Sequence, residues 1–338
     1  MGYTELDRFN DALKGHVRDR VPVYPLIGGW AVANFSDLST DRVAADPRLF
    51  MEAQIKAREA MGYDPVYAYM DAVYIAEAFG CRVRYLETGT VVDPLDIQIK
   101  TPEDLADLSM PSVQTEARLP VVLETVRLLS EYGRGDIPVV PLFEGPFTTA
   151  CRVAGTEQVM RMTYRHGQLL GRLLERMTDF LAEFGNRLAE SGADILIIPE
   201  PTGSSSMISP GMFEKFVMPG LRRLTDRLKV PWILHMCGDT LSLLDLMART
   251  GAAVLSLDQC MDLSRSRQKV PHAVIGGNVD PVKALLMGTP RQVTEDTLRC
   301  LRQGGDRFVL MSGCGIPPRA PRENVLAMIR AAAQGILS

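Results

Sequence analysis

ADILIIPEPTGSSSMISPGMFEKF, residues 193–216, runs through strand, loop and helix in succession. Residues 193–199 are almost continuously apolar, too short a run for an ordinary helix and without the polar alternation of a half-solvated strand. That pattern suits a strand covered on both faces, as parallel strands are. The run stops at Glu200, a Gly- and Ser-rich segment follows, and Ser209 then precedes Pro210. Serine at an N-cap with proline in the first turn is a helix start.

The same unit recurs along the chain. Apolar runs at 21–26, 65–69, 137–143, 193–199, 230–235, 253–258, 273–278 and 307–312 have helical patterns between most of them. Strands alternating with helices predict a parallel sheet, and eight such units close a (β/α)8 TIM barrel, an α/β fold. Helices are expected over 46–61, opened by Asp46 and Pro47, and over 119–132, 209–228, 289–303 and 320–336. The pattern at 156–191 is too long for one average helix and predicts two, with a break near Gly167 or Gly171. Residues 81–100 alternate with period two around Thr88-Gly89, which predicts a small β-hairpin inserted after the second β/α unit. No linker or low-complexity tract divides the chain, so residues 1–338 are read as one domain.

The 338 residues are 46% hydrophobic and 23% charged, with a net charge of −4, which offers no basic surface for nucleic acid. No apolar run reaches the roughly 18 residues of a membrane span, and Pro22, Pro25, Gly28 and Gly29 break the stretch nearest the N-terminus. A cytoplasmic protein is the expectation, with an oligomer compatible with it. The six cysteines are scattered, so free thiols or metal ligands are favoured over a disulfide framework.

In a barrel of this kind the chemistry stands where strands run out into βα loops. The runs end on or beside Asp71, Glu144, Glu200, His235 with Cys237, Asp258, Asn278 with Asp280, and Cys314. Alternate strand residues share a face, so His235 and Cys237 in WILHMCGDT point the same way. Cys314, in MSGCGIPP, comes from the last strand end on the same rim. One imidazole and two thiolates suit zinc, and three protein ligands leave the fourth position open, as a catalytic zinc requires. The competing account is that a histidine and cysteines on apolar strands are ordinary core residues.

Longer motifs carry a resemblance. FNDALKGHVRDRVPVYPL, AEAFGCRV, PLFEGPFTTA, SGADILIIPEPTGSSSMISPGMFEKFVMPGLRRL, ILHMCGDT and the stretch from IGGNVDP through SGCGIPP to VLAMI span nearly the whole chain. Together they resemble the uroporphyrinogen decarboxylase superfamily, and within it the zinc-dependent methylcobalamin:coenzyme M methyltransferase branch. The resemblance implies that His235, Cys237 and Cys314 are zinc ligands and catalytic groups. It implies methyl transfer between a corrinoid, carried by a separate corrinoid protein, and a small donor or acceptor such as a thiol, tetrahydrofolate or a methoxylated compound. The decarboxylase branch is the alternative, binding a tetrapyrrole without zinc; its arginine-rich motif after the first strand is replaced here by PLIGGWAVANF.

Glu200 is also placed among the catalytic residues, and Asp71, Glu144, Asp258 and Asn278 among those that bind substrate. Glu144, Glu200 and Asp258 set substrate choice, or supply a removable fourth ligand, or satisfy buried backbone N–H groups in tight loops. Asp71 lines the pocket or caps a helix at the surface. Asn278 and Asp280 contact substrate or cap the helix that begins at Pro281.

Overall fold

The computed structural model describes residues 2–69, 71–86, 89–95 and 99–334. All eight expected runs take their places around a barrel. Residues 21–26 hold the first place, through a parallel bridge between Val23 and Leu310. The second is β1 (Val66–Tyr67). The hairpin follows as β2 (Arg82–Leu86) and β3 (Gly89–Asp93), paired antiparallel. It comes after the short helix Tyr74–Ala78, where the alternation placed it, although Thr88 of its turn lies outside the described residues. The third place is β4 (Val139–Val140), parallel to β1. The last five are β5 (Leu196–Pro199), β6 (Trp232–Met236), β7 (Val254–Leu257), β8 (Ile275–Val279) and β9 (Phe308–Ser312), a parallel sheet in chain order.

Single hydrogen bonds close the ring where the ladders are short. The Asp64 N–H donates to the Val23 carbonyl at 3.2 Å, and Leu142 bridges to Ile197. The Tyr24 N–H reaches the Leu310 carbonyl at 2.8 Å, and the Leu310 N–H reaches Pro22 at 2.9 Å. Proline explains the shortness: a residue without an N–H cannot donate to a ladder. Pro138 and Pro141 flank β4, Pro65 precedes β1, and Pro22 and Pro25 interrupt the first run. β6, β8 and β9 carry no proline, and the β6–β7 and β8–β9 pairs make two of the longer ladders, although β7–β8 pairs over only two positions.

The helices start where the caps said they would. Asp46 accepts from the N–H groups of Arg48 and Leu49 at the head of Pro47–Met61, and Thr289 forms a capping box with Gln292 before Pro290–Gly304. The long pattern splits at His166 into Thr156–Arg165 and Gly167–Glu190. After Ser209 the helix passes through a π-helical turn, Phe213–Val217, before continuing as Met218–Arg227. The last helix is Arg322–Gln334; the remainder of the expected segment, to 336, lies outside the described residues. No helix among the described residues is long and apolar enough to cross a membrane.

Buried side chains from Phe9 to Ala332 pack into one large cluster between barrel and helices. The end of the barrel away from the βα loops is tied by charge. Asp64, fully buried, accepts from Arg8 Nη1 at 2.9 Å, Arg20 Nη1 at 2.9 Å and the Val23 N–H at 2.7 Å. A buried carboxylate is tolerated because its lone pairs are filled by cations and an amide.

Candidate metal centre

β6 presents His235 towards the barrel mouth, and Cys237 follows one residue past the strand end. Gly238 then turns the chain at φ +79°, a left-handed conformation that glycine adopts without strain. Cys314 arrives from the loop after β9. His235 is 4% exposed and the two cysteines are half-buried. Cys237 Sγ lies 3.4 Å from His235 Nε2 and 3.7 Å from Cys314 Sγ, and all three ligand atoms fall within 4.8 Å of one another. The thiols are free, and their spacing is far beyond a disulfide bond of about 2.05 Å.

These separations fit a tetrahedral zinc ion. With zinc–sulfur about 2.3 Å and zinc–nitrogen about 2.05 Å, tetrahedral angles put two sulfurs about 3.8 Å apart and sulfur and nitrogen about 3.6 Å apart. The other ring nitrogen, Nδ1, lies 3.0 Å from Ser256 Oγ on β7, the residue directly across the ladder from His235. Such a contact fixes the ring so that Nε2 faces the thiols. The hydrogen bond between the two sulfurs pushes the Cys314 thiol well below its ordinary range and the Cys237 thiol well above it, with burial adding to the latter.

The strand-end acids are all engaged. Glu200 is fully buried and turned to the start of the Pro146–Ala154 helix, where it accepts from the Phe147 N–H at 3.1 Å, the Thr148 N–H at 2.6 Å and the Thr148 hydroxyl. Burial raises its carboxyl to about 7 against those hydrogen bonds. Glu144 is buried and paired with Arg152 at 2.9 Å, and burial raises its carboxyl too. Asp71 accepts from Arg118 at 2.8 Å and from the Val73 N–H at 3.0 Å. Asp258 gives one oxygen to the Gly238 N–H and the other to the Cys260 N–H, both at 2.9 Å. Asn278 donates to the carbonyls of Asp258 and Met261 at 2.9 and 2.7 Å, while Asp280 caps the turn at Pro281–Leu286. Thus His235, Cys237 and Cys314 converge, with Asp258 braced against the loop that carries Cys237. Among the described residues no fourth His, Cys, Asp or Glu joins the cluster.

Two residues at the mouth were not singled out from the sequence. Ser256 is the polar interruption in the apolar run VLSLD, and the ladder register shows its partner. Tyr69 follows Tyr67 at strand spacing, and their rings pack edge to face at 5.3 Å. The alternation was visible; the close approach of the Tyr69 ring to Gly28 was not.

Residues 4–335 match the family model for uroporphyrinogen decarboxylase (URO-D). A methylcobamide:CoM methyltransferase of Methanosarcina acetivorans is 29% identical over 98% of this chain and 98% of its own. A methylated-thiol–coenzyme M methyltransferase of Methanosarcina mazei is 31% identical, covering 85% of this chain and 77% of its own. A uroporphyrinogen decarboxylase of Geotalea daltonii is 27% identical over 95% of this chain and 96% of its own. Among solved structures, a methyltransferase from Methanosarcina mazei superposes with a TM-score of 0.92 at 26% identity, over 100% of both chains. The barrel, its inserted hairpin and a family match running almost from end to end lead to one conclusion: the chain belongs to the uroporphyrinogen decarboxylase (URO-D) family.

Proposed function

We infer that this protein is a zinc-dependent methyltransferase that moves a methyl group between a corrinoid, carried on a partner protein, and a small donor or acceptor, a thiol first among them. The observation that carries this reading is the meeting of His235 Nε2, Cys237 Sγ and Cys314 Sγ from two strand ends at tetrahedral spacing. Three ligands leave one position for a substrate sulfur. Zinc bound there would supply the positive charge that keeps such a thiol deprotonated near neutral pH.

The chain's own groups set up that position. Ser256 orients the His235 ring, and Asp258 fixes the Gly238 N–H beside Cys237. Asn278 in turn holds the Asp258 carbonyl. Glu200 anchors the helix that begins at Pro146. Glu144 and Asp71 shape the mouth through their arginines. Two thiolates cancel the charge of a divalent ion, so the loaded site is neutral. The tetrapyrrole-decarboxylating alternative is less well supported. Residues 26–35, after the first strand, contain no arginine, and Asp71 is already bound to Arg118.

Metal analysis of protein purified without oxygen tests the reading. About one zinc per chain is expected, lost in Cys314→Ser together with thiol-dependent demethylation of methylcobalamin. A metal-free wild-type protein that binds no added zinc overturns it.

A further inference from the structure

Two of the three proposed zinc ligands are cysteines whose sulfurs touch. Cys237 Sγ and Cys314 Sγ stand 3.7 Å apart, a van der Waals contact that leaves no room for an atom between them. Cys81, Cys151 and Cys300 are buried, whereas Cys237 and Cys314 are half-buried at the barrel mouth, where a small oxidant can reach them. The backbones on either side of the pair are held by protein contacts. The Gly238 N–H, next to Cys237, is bound to Asp258 at 2.9 Å. Gly313, next to Cys314, lies so close to Gln259 that a Cβ there would fall 2.5 Å from the Gln259 nitrogen. The sulfurs therefore stay neighbours without a metal. A bond of about 2.05 Å needs them to close by about 1.7 Å. Both cysteines lie past the ends of their strands, β6 and β9, so this movement disturbs no ladder. Beyond Cys314 there is open space, since a Cβ on Gly315 would meet nothing within 4 Å.

We propose that Cys237 and Cys314 are a reversible disulfide site, closed by a peroxide, that withdraws two of the three ligands and switches the metal centre off. One sulfur attacks a peroxide oxygen; the O–O bond breaks, leaving a sulfenic acid and one water. The second thiol displaces the hydroxyl group of that sulfenic acid, so the S–S bond forms and a second water leaves with the thiol proton. Each sulfur gives up one electron and the peroxide takes both. A dithiol reverses the step by exchange, ending as its own disulfide while both protein thiols return. Zinc and the link exclude each other, because a sulfur in a disulfide is no longer a thiolate ligand and His235 alone does not hold the ion. This inference rests on the zinc reading for what the link switches off; the link itself needs no metal.

The test starts from full-length protein purified without oxygen, stripped with chelator and treated with a slight excess of hydrogen peroxide. Alkylation and peptide mass mapping locate the oxidised sulfurs, thiol titration counts them, and a chromophoric chelator follows zinc uptake. Wild type is expected to lose two of its six thiols to a Cys237–Cys314 link, and its zinc uptake to fall at least about tenfold. Dithiothreitol should restore both. Cys260→Ser, which removes the exposed cysteine, should form the same link. Zinc-loaded wild type should release its metal in step with the link. Mapping that finds sulfinic acids, a link to Cys260, or intact thiols at 237 and 314 overturns the proposal, as does a link that leaves zinc uptake unchanged. Untreated protein that takes up no zinc would count against the metal reading, while mapping would still decide whether the two cysteines join.

Discussion

Glu200 offers a stability test whose sign and size follow from its surroundings. Its carboxyl is fully buried, and burial raises its pKa from 4.5 to about 7. In the unfolded chain it returns to the ordinary value. Between those two values the folded state holds the extra proton, so unfolding stability must fall as pH rises. The stabilisation is complete below pH 4.5 and is lost as pH passes through about 7. Integrating the linkage relation for this one group gives a loss of about 2.5 kcal/mol between pH 5 and pH 8. Glu200→Gln cannot titrate, so the stability difference between wild type and variant should shift by about that amount over the interval, in the direction that favours the variant at pH 8. Other titrating groups are common to both proteins and cancel. Reversible urea unfolding at a series of pH values, under the same metal conditions for both proteins, measures this double difference. A difference that stays constant within about 0.5 kcal/mol would show that the hydrogen bonds from Phe147 and Thr148 outweigh burial and keep the carboxylate ionised.

Ser256→Ala should weaken zinc binding about 10- to 100-fold, measured by competition with a chromophoric chelator, because His235 loses the contact that orients its ring. An affinity equal to wild type would show that packing alone fixes the imidazole. Asp64→Ala leaves Arg8 and Arg20 facing a vacated buried site and should cost about 3–5 kcal/mol in chemical denaturation. A loss below about 1 kcal/mol would mean that solvent reaches the guanidinium groups. Asp258→Ala strands the N–H groups of Gly238 and Cys260 and should cost about 2–4 kcal/mol, with weaker zinc retention because the loop after Cys237 is freed. Zinc affinity unchanged despite lower stability would separate Asp258 from the site.

Local chemistry made much of this molecule legible in advance. Apolar runs covered on both faces gave the barrel strands, and Ser209, Asp46 and Thr289 gave helix starts, because caps and periodicity act over a few residues. His-x-Cys put two potential ligands on one face by strand geometry alone. What the acids at the strand ends do was open from sequence, and the structure shows each one occupied, Asp71 and Glu200 by partners distant in the chain. Arg118 lies 47 residues from Asp71, and Thr148 lies 52 residues from Glu200. The ladder lengths also combine both levels, since the prolines were visible but which N–H groups the barrel needs was not.

The amino-acid sequence by itself determined the alternation of strands and helices, the caps, and which residues could ligate a metal, because each depends on near neighbours. Only the tertiary structure brought Cys314 within 3.7 Å of Cys237, set Ser256 against His235, and left the Tyr69 hydroxyl without a partner. Those relations are fixed by barrel closure and ladder register, which join residues far apart in the chain and leave no local pattern to read.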